Sequence, residues 1–278
     1  MNRDFTLIKY ESLLKAIIKT NYTTTTVNDY IAFEPQNCII MRHDVDRAIN
    51  RSFAMAKLEY DYGIKSTYYF RYRNDTFKPD IIRKILDMGH EVGYHYEVID
   101  KAKHDFEKAI EIFKKELDEF RLITNINTIC MHGNPLSPFS NLEIWDKYSF
   151  ENFGILGEPY ISIDYNKVIY FTDTGRTWSD PKILNKYFID NKDFIDRSGI
   201  NGKYKPRSIF KTDDIIQLIE SEMFPQICLL THPNRWCDEY LSWTKELVFQ
   251  RIKNIGKAGL ILYRSLNNDK NVLPQIES

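Results

Sequence analysis

Four histidines stand where apolar runs end. Cys38-Ile39-Ile40-Met41-Arg42 leads into His43, and Glu91-Val92-Gly93-Tyr94 leads into His95. Thr128-Ile129-Cys130-Met131 leads into His132, and Ile227-Cys228-Leu229-Leu230-Thr231 leads into His232. Imidazoles bind metals and move protons near neutral pH. If the runs are strands of a parallel α/β fold, their C-terminal ends open on one face, where active sites lie. One histidine in such a place is ordinarily a core or surface residue with a local partner. Four in equivalent places point to a shared site.

The segment Arg42-His43-Asp44-Val45-Asp46 adds carboxylates. Residues two apart in an extended chain share a face, so Asp44 and Asp46 point the same way. Two close carboxylates are costly unless a cation lies between them or one becomes a base with an altered pKa. Carboxylate and imidazole ligands together fit zinc or another first-row divalent ion. Asp46 also precedes a helical pattern and could cap it. A cap accounts for one Asp, but not for the pair and its flanking His.

These residues need a scaffold, and strand and helix signals alternate along the chain. Phe5, Leu7, Ile8, Leu13, Leu14, Ile17 and Ile18 predict a first amphipathic helix. Short strands are expected at Cys38–Met41, Ser66–Phe70, Glu91–Tyr94, Asn127–Met131, Val168–Phe171, Gln226–Leu230 and Leu260–Tyr263. Helices are expected over Ala48–Tyr60, over Pro79–Met88 and up to about Ile255. Ala102, Phe106, Ile110, Phe113, Leu117 and Phe120 repeat at three and four residues, the clearest helix signal. Repeated strand–helix units imply a parallel sheet with outer helices, open or closed as a barrel. Leu136 to Arg207 reads as long loops with short strands, of the kind that build sites. No repeat or linker marks a second domain, so 1–278 is expected to be one domain.

Lys plus Arg number 38 against 39 Asp plus Glu, a net charge of −1, which gives no support for nucleic-acid binding through bulk charge. No apolar run can span a bilayer, and no signal peptide is evident, so a cytoplasmic protein is expected. Cys38, Cys130 and Cys228 sit in apolar runs, and with Cys237 are read as reduced thiols.

The motifs resemble the polysaccharide deacetylase family, carbohydrate esterase family four. Arg42 to Asp46 resembles its first motif, and Gly89-His90-Glu91-Val92-Gly93-Tyr94-His95 its second, residue by residue. Leu229-Leu230-Thr231-His232 resembles the last, and Asp173-Thr174-Gly175-Arg176-Thr177-Trp178 loosely the fourth. The resemblance implies a distorted (β/α)7-type barrel and one divalent metal ion: zinc first, with nickel, cobalt or manganese as alternatives. It implies Asp46 and His95 as ligands, Asp44 as base, His232 as acid and a structural His90. The family's second metal His falls on Ile99, which cannot bind metal; His132 is the first candidate to replace it, Glu97 the second, and a water the remaining alternative. The family's third-motif Arg is missing from Met131-His132-Gly133-Asn134-Pro135, and Arg176 is expected to replace it, beside Asp173. Asn234-Arg235-Trp236 has no counterpart in the family pattern.

The implied activity is N-deacylation, foremost N-deacetylation, of an amino sugar that is nucleotide-linked, lipid-linked or polymeric, in surface-polysaccharide synthesis. Arg176 would face the oxyanion, and Tyr94, Tyr96, Trp178 and Trp236 are candidates to stack on sugar faces or, equally, to pack beneath loops. The competing readings are removal of a formyl group, opening of a cyclic amide, and a degenerate site that binds a glycan or partner without catalysis.

Overall fold

The computed structural model describes residues 3–134, 137–178, 209–252 and 254. Seven strands form one sheet: β1 (Thr23–Thr25), β2 (Cys38–Val45), β3 (Thr67–Phe70), β4 (Glu91–Tyr96), β5 (Ile129–Met131), β6 (Ile169–Thr172) and β7 (Gln226–Thr231). The order is β5-β4-β3-β2-β7-β6, with β1 beside β2. Every ladder is parallel. On one edge of β2, β1 pairs with Cys38–Ile40 and β3 with Arg42–Val45; β7 runs along the other edge. The sheet curls into an open barrel, the expected parallel α/β architecture.

The helices are α1 (Leu7–Ile17), α2 (Val27–Phe33), α3 (Ile49–Asp61), α4 (Pro79–Asp87), α5 (Val98–Ala102), α6 (Phe106–Arg121), α7 (Pro159–Ser162), α8 (Thr212–Glu220) and α9 over 240–252. None is long and apolar enough to cross a membrane. Pro79 opens α4 at a position where a missing N–H costs nothing.

β2 is buried along its whole length, as a parallel strand covered on both faces must be. Alternation divides its side chains. Ile39 and Met41 pack outward with α1 residues, Trp178 and Trp236. Cys38 and Ile40 pack inward with Tyr69, Cys130 and Cys228. Continuing the alternation puts His43 on the outer face and Arg42 and Asp44 on the inner one.

Several boundaries move. β2 runs on through Asp44, and β4 runs on through His95, so both residues sit in strands rather than after them. The helix expected from Ala102 is two helices. Lys103 and His104 adopt left-handed φ of 53° and 68°, and the Asp105 carboxylate then accepts from the Lys108 N–H to start α6 afresh. Asp46 caps nothing: the residue preceding α3 is Ala48, with no side-chain cap. Cys38, Cys130, Cys228 and Cys237 are free and buried. The strand expected at Leu260–Tyr263 and the helix end at Ile255 lie outside the described residues, as does 179–208 of the long loop region.

Candidate active site

The ends of β2, β4, β5 and β7 open into one cleft of about 1130 Å³. Asp44, Asp46, His95, His132 and His232 all line it. His43 does not join them. It faces the helices, where its Nε2 lies 2.7 Å from Glu59 Oε1 and its Nδ1 lies 2.6 Å from Thr231 Oγ1, all fully buried. His90 is also structural. It accepts from the Ser66 N–H and donates to the Ala56 carbonyl.

Asp46, His95 and His132 bring one oxygen and two nitrogens within 4.8 Å of one another. His132 Nδ1 stands 3.1 Å and His95 Nε2 3.6 Å from Asp46 Oδ1. Yet that buried oxygen receives no well-directed hydrogen bond. His95 Nδ1 lies 3.0 Å from the Cys130 carbonyl, which fixes its proton there and leaves the Nε2 lone pair facing Asp46 and His132. An unsatisfied carboxylate oxygen between two imidazoles suits a divalent cation. One carboxylate with two imidazoles is a ligand set of catalytic zinc. Burial pushes the Asp46 carboxyl up, but His132, His95 and His232 overcome that and hold it well below the usual range.

A second group of Asp44, His95 and Cys130 is also close enough for a metal. Both Asp44 oxygens there already accept a bond from Arg42, whose positive charge opposes a second cation. Arg42 Nε donates to Oδ1 at 3.0 Å and Arg42 Nη2 to Oδ2 at 2.9 Å. Cys130 accepts from the same Arg42 Nη2, and burial raises its thiol well above the ordinary range, so it stays protonated. The three-residue set with Asp46 is therefore the better metal pocket. Burial pushes the Asp44 carboxyl up, while Arg42, His95 and His232 bring it below its ordinary value, so Asp44 is ionised.

In the same cleft His232 Nδ1 donates to Asp173 Oδ1 at 2.7 Å, leaving Nε2 for the cleft. Asp173 is fully buried and accepts four bonds in all, from Arg235 Nη1, Trp236 Nε1, and the His232 ring and N–H. Burial raises its carboxyl, and Arg235 and His232 more than offset the rise.

Arg176 is not where the resemblance implies. It sits at a left-handed φ of 58° in the turn after β6, and its guanidinium lies over Phe5 and Trp243, donating to the Trp243 and Asp4 carbonyls. That backbone turn carries the side chain behind the site. The group that grips Asp44 is instead Arg42, two residues earlier on the same strand face. Period-two spacing signals it. Arg235 and Trp236, outside the family pattern, hold Asp173, and no spacing in the sequence signals that.

Glu97 does not reach the metal pocket; Arg71 and Lys101 engage it. Ile99 is buried in α5, and its N–H donates to Asn141 Oδ1. Asn141 Nδ2 in turn donates to the His132 carbonyl, tying the helix that lacks the ligand to the loop that offers one. Tyr94, Tyr96, Trp178 and Trp236 are buried in the core and cannot stack on a sugar. The aromatic rings that line the cleft are Tyr160, Tyr170 and Phe139, the last lying flat on His104 at 3.6 Å.

No protein-family profile and no curated protein matches this chain. Solved structures of one protein are among those similar to it. A mutant of BA3943, described as a CE4 family pseudoenzyme with restored enzymatic activity, is 14% identical at a TM-score of 0.35, covering 81% of this chain and 64% of its own. Wild-type BA3943 from Bacillus anthracis, a CE4 family pseudoenzyme, is 15% identical at 0.34, covering 79% and 60%. This chain thus spans less than two thirds of the length of either.

Proposed function

We propose that this protein is a metal-dependent N-deacylase, foremost an N-deacetylase, of an amino sugar. One observation carries the reading. A candidate three-ligand metal pocket, an ionised carboxylate gripped by arginine and an imidazole backed by a buried carboxylate line the same cleft. That brings a base, an acid and a Lewis-acid site together in one cleft, the groups amide hydrolysis needs.

Asp46, His95 and His132 would hold the ion, with zinc first among the candidates. When bound, a divalent ion supplies a Lewis acid for the acyl oxygen and lowers the pKa of water. Asp44 takes the proton of the attacking water, and Arg42 fixes which carboxylate face meets it. His232 hands a proton from Nε2 to the leaving nitrogen. Asp173 holds the His232 proton on Nδ1 and offsets the charge that ring carries. The motif order supports an N-acyl sugar as substrate, and the cleft has room beyond a single ring for a linked group.

The test is acetate release by zinc-loaded protein from free, nucleotide-linked and oligomeric N-acetylhexosamines, with formate release from N-formyl analogues alongside. Asp44→Asn keeps the metal and lowers turnover by about 10²- to 10⁴-fold, the usual worth of a general base. Asp46→Ala loses the metal. An Asp44→Asn protein that is metal-loaded and fully active would remove Asp44 as base.

A further inference from the structure

One cleft hydroxyl has no role in the chemistry above. Tyr160 lines the cleft with Asp44, Leu230, Tyr170 and His232. Arg42 Nη2 donates to Asp44 Oδ2 at 2.9 Å and to Tyr160 Oη at 3.3 Å. One nitrogen therefore stands within reach of both the base and the phenol, sharing its two hydrogens among Asp44, Cys130 and Tyr160. The two oxygens are no farther apart than these two bonds laid end to end, close enough for one water and one acyl group to touch both.

Tyr160 is also firmly mounted. Its N–H donates to Glu158 Oε2 at 2.6 Å, and Glu158 Oε1 accepts the Met131 N–H at 2.9 Å, fastening α7 to β5. Its ring lies over the Arg42 guanidinium at 4.7 Å. A donor held this way needs no reorganisation when charge develops beside it. A guanidinium has no acceptor, so the phenolic proton cannot be spent on Arg42 and points elsewhere. Its protein neighbour is Tyr170 Oη at a long 3.4 Å. Burial holds the Tyr160 phenol above its ordinary range, so the proton stays on at any working pH.

We propose that Tyr160 donates a hydrogen bond to the acyl oxygen as the tetrahedral oxyanion forms. This rests on the deacylase reading. Water adds to the acyl carbon and gives one proton to Asp44, while the carbonyl π pair moves onto oxygen, where Tyr160 meets it. The pair returns as the C–N bond breaks, and His232 protonates the nitrogen. The products are a carboxylic acid and an amine. Asp44 then releases its proton to solvent and His232 regains one, while Tyr160 keeps its own throughout.

Tyr160→Phe keeps the ring over Arg42 and removes only the hydroxyl. In the hexosamine assay above, it lowers kcat by about 10²-fold with KM within about twofold, the signature of a contact made in the transition state. It weakens binding of the methylphosphonamidate analogue of the same hexosamine by a similar factor, and leaves the Kd of the N-acetylhexosamine itself nearly unchanged. The acid limb of the pH profile stays in place. Wild-type kcat in Tyr160→Phe, beside an inactive Asp44→Asn, overturns the proposal and leaves the deacylase reading standing. A raised KM at unchanged kcat overturns it too, making Tyr160 a sugar contact. So does a displaced acid limb, which would mean that Tyr160 acts through Arg42. Acyl release from none of the hexosamines removes both readings.

Discussion

At the scale of single residues, the site depends on how Asp44 is kept ionised in a buried place. Burial alone would raise its carboxyl and fill it with a proton, and a protonated Asp44 cannot act as base. Arg42, fully buried itself, supplies the two-point grip that reverses this. Arg42→Met should therefore move the acid limb of kcat/KM to higher pH, because the carboxyl rises once its cation is gone and is ionised only in less acidic solution. Removing one partner of a buried ion pair also costs about 3–5 kcal/mol, so that variant is tested together with Arg42→Lys. Lysine keeps the charge but cannot grip two oxygens in a plane, and should move the limb less. A folded Arg42→Lys or Arg42→Met protein whose acid limb coincides with the wild type would show that Arg42 does not tune the base.

At the scale of elements, the strand ends were the legible part. Apolar runs stopping at His95, His132 and His232 mark strands whose tips meet, and the cleft contains all three. His43 misled because a run's last residue can lie on either face, and here it points at Glu59. The same alternation that pairs Asp44 with Asp46 also includes Arg42, so that contact was readable. The break between α5 and α6 was not. Ala102 packs in the same core as Ile110 and Phe113, so the apolar spacing continues across a left-handed turn that leaves no gap in the pattern. β1, three threonines, has no apolar alternation to announce it. Gly93 shows how tightly strands are fitted beneath the site. A Cβ there would stand 2.3 Å from the Tyr69 ring and 2.8 Å from the Thr128 carbonyl. Tyr69 lies 5.5 Å from the Arg42 guanidinium, so pushing the ring disturbs the residue that grips Asp44. Gly93→Ala should lower stability by about 1–3 kcal/mol through overpacking and reduce kcat as well. Thermal unfolding beside kinetics checks this, and an unchanged melting temperature would mean that the strands yield more readily than their spacing suggests.

At the scale of the whole molecule, curvature helps bring the three candidate metal ligands together. Asp46 follows β2 and His132 follows β5, with β3 and β4 between them in the sheet. Three strand spacings of about 4.8 Å would separate those ends by roughly 14 Å on a flat sheet. Their side chains nevertheless stand 3.1 Å apart. The curl of the sheet and the inward reach of both side chains together close that gap, so an ion held by Asp46, His95 and His132 would link the ends of β2, β4 and β5. Such an ion binds the folded chain and finds no preformed site in the unfolded one. At a free concentration a hundredfold above its Kd, it would stabilise the fold by about 2.7 kcal/mol. For a chain of this size, that is a rise in melting temperature of about 5 °C over chelator-treated protein. Asp46→Ala should abolish the rise, because it removes a ligand. His232→Ala should keep it while losing turnover, because His232 lies in the cleft but outside the ligand set. A melting temperature indifferent to zinc and chelator, or a full rise in Asp46→Ala, would place the ion elsewhere and leave the strand ends without that link.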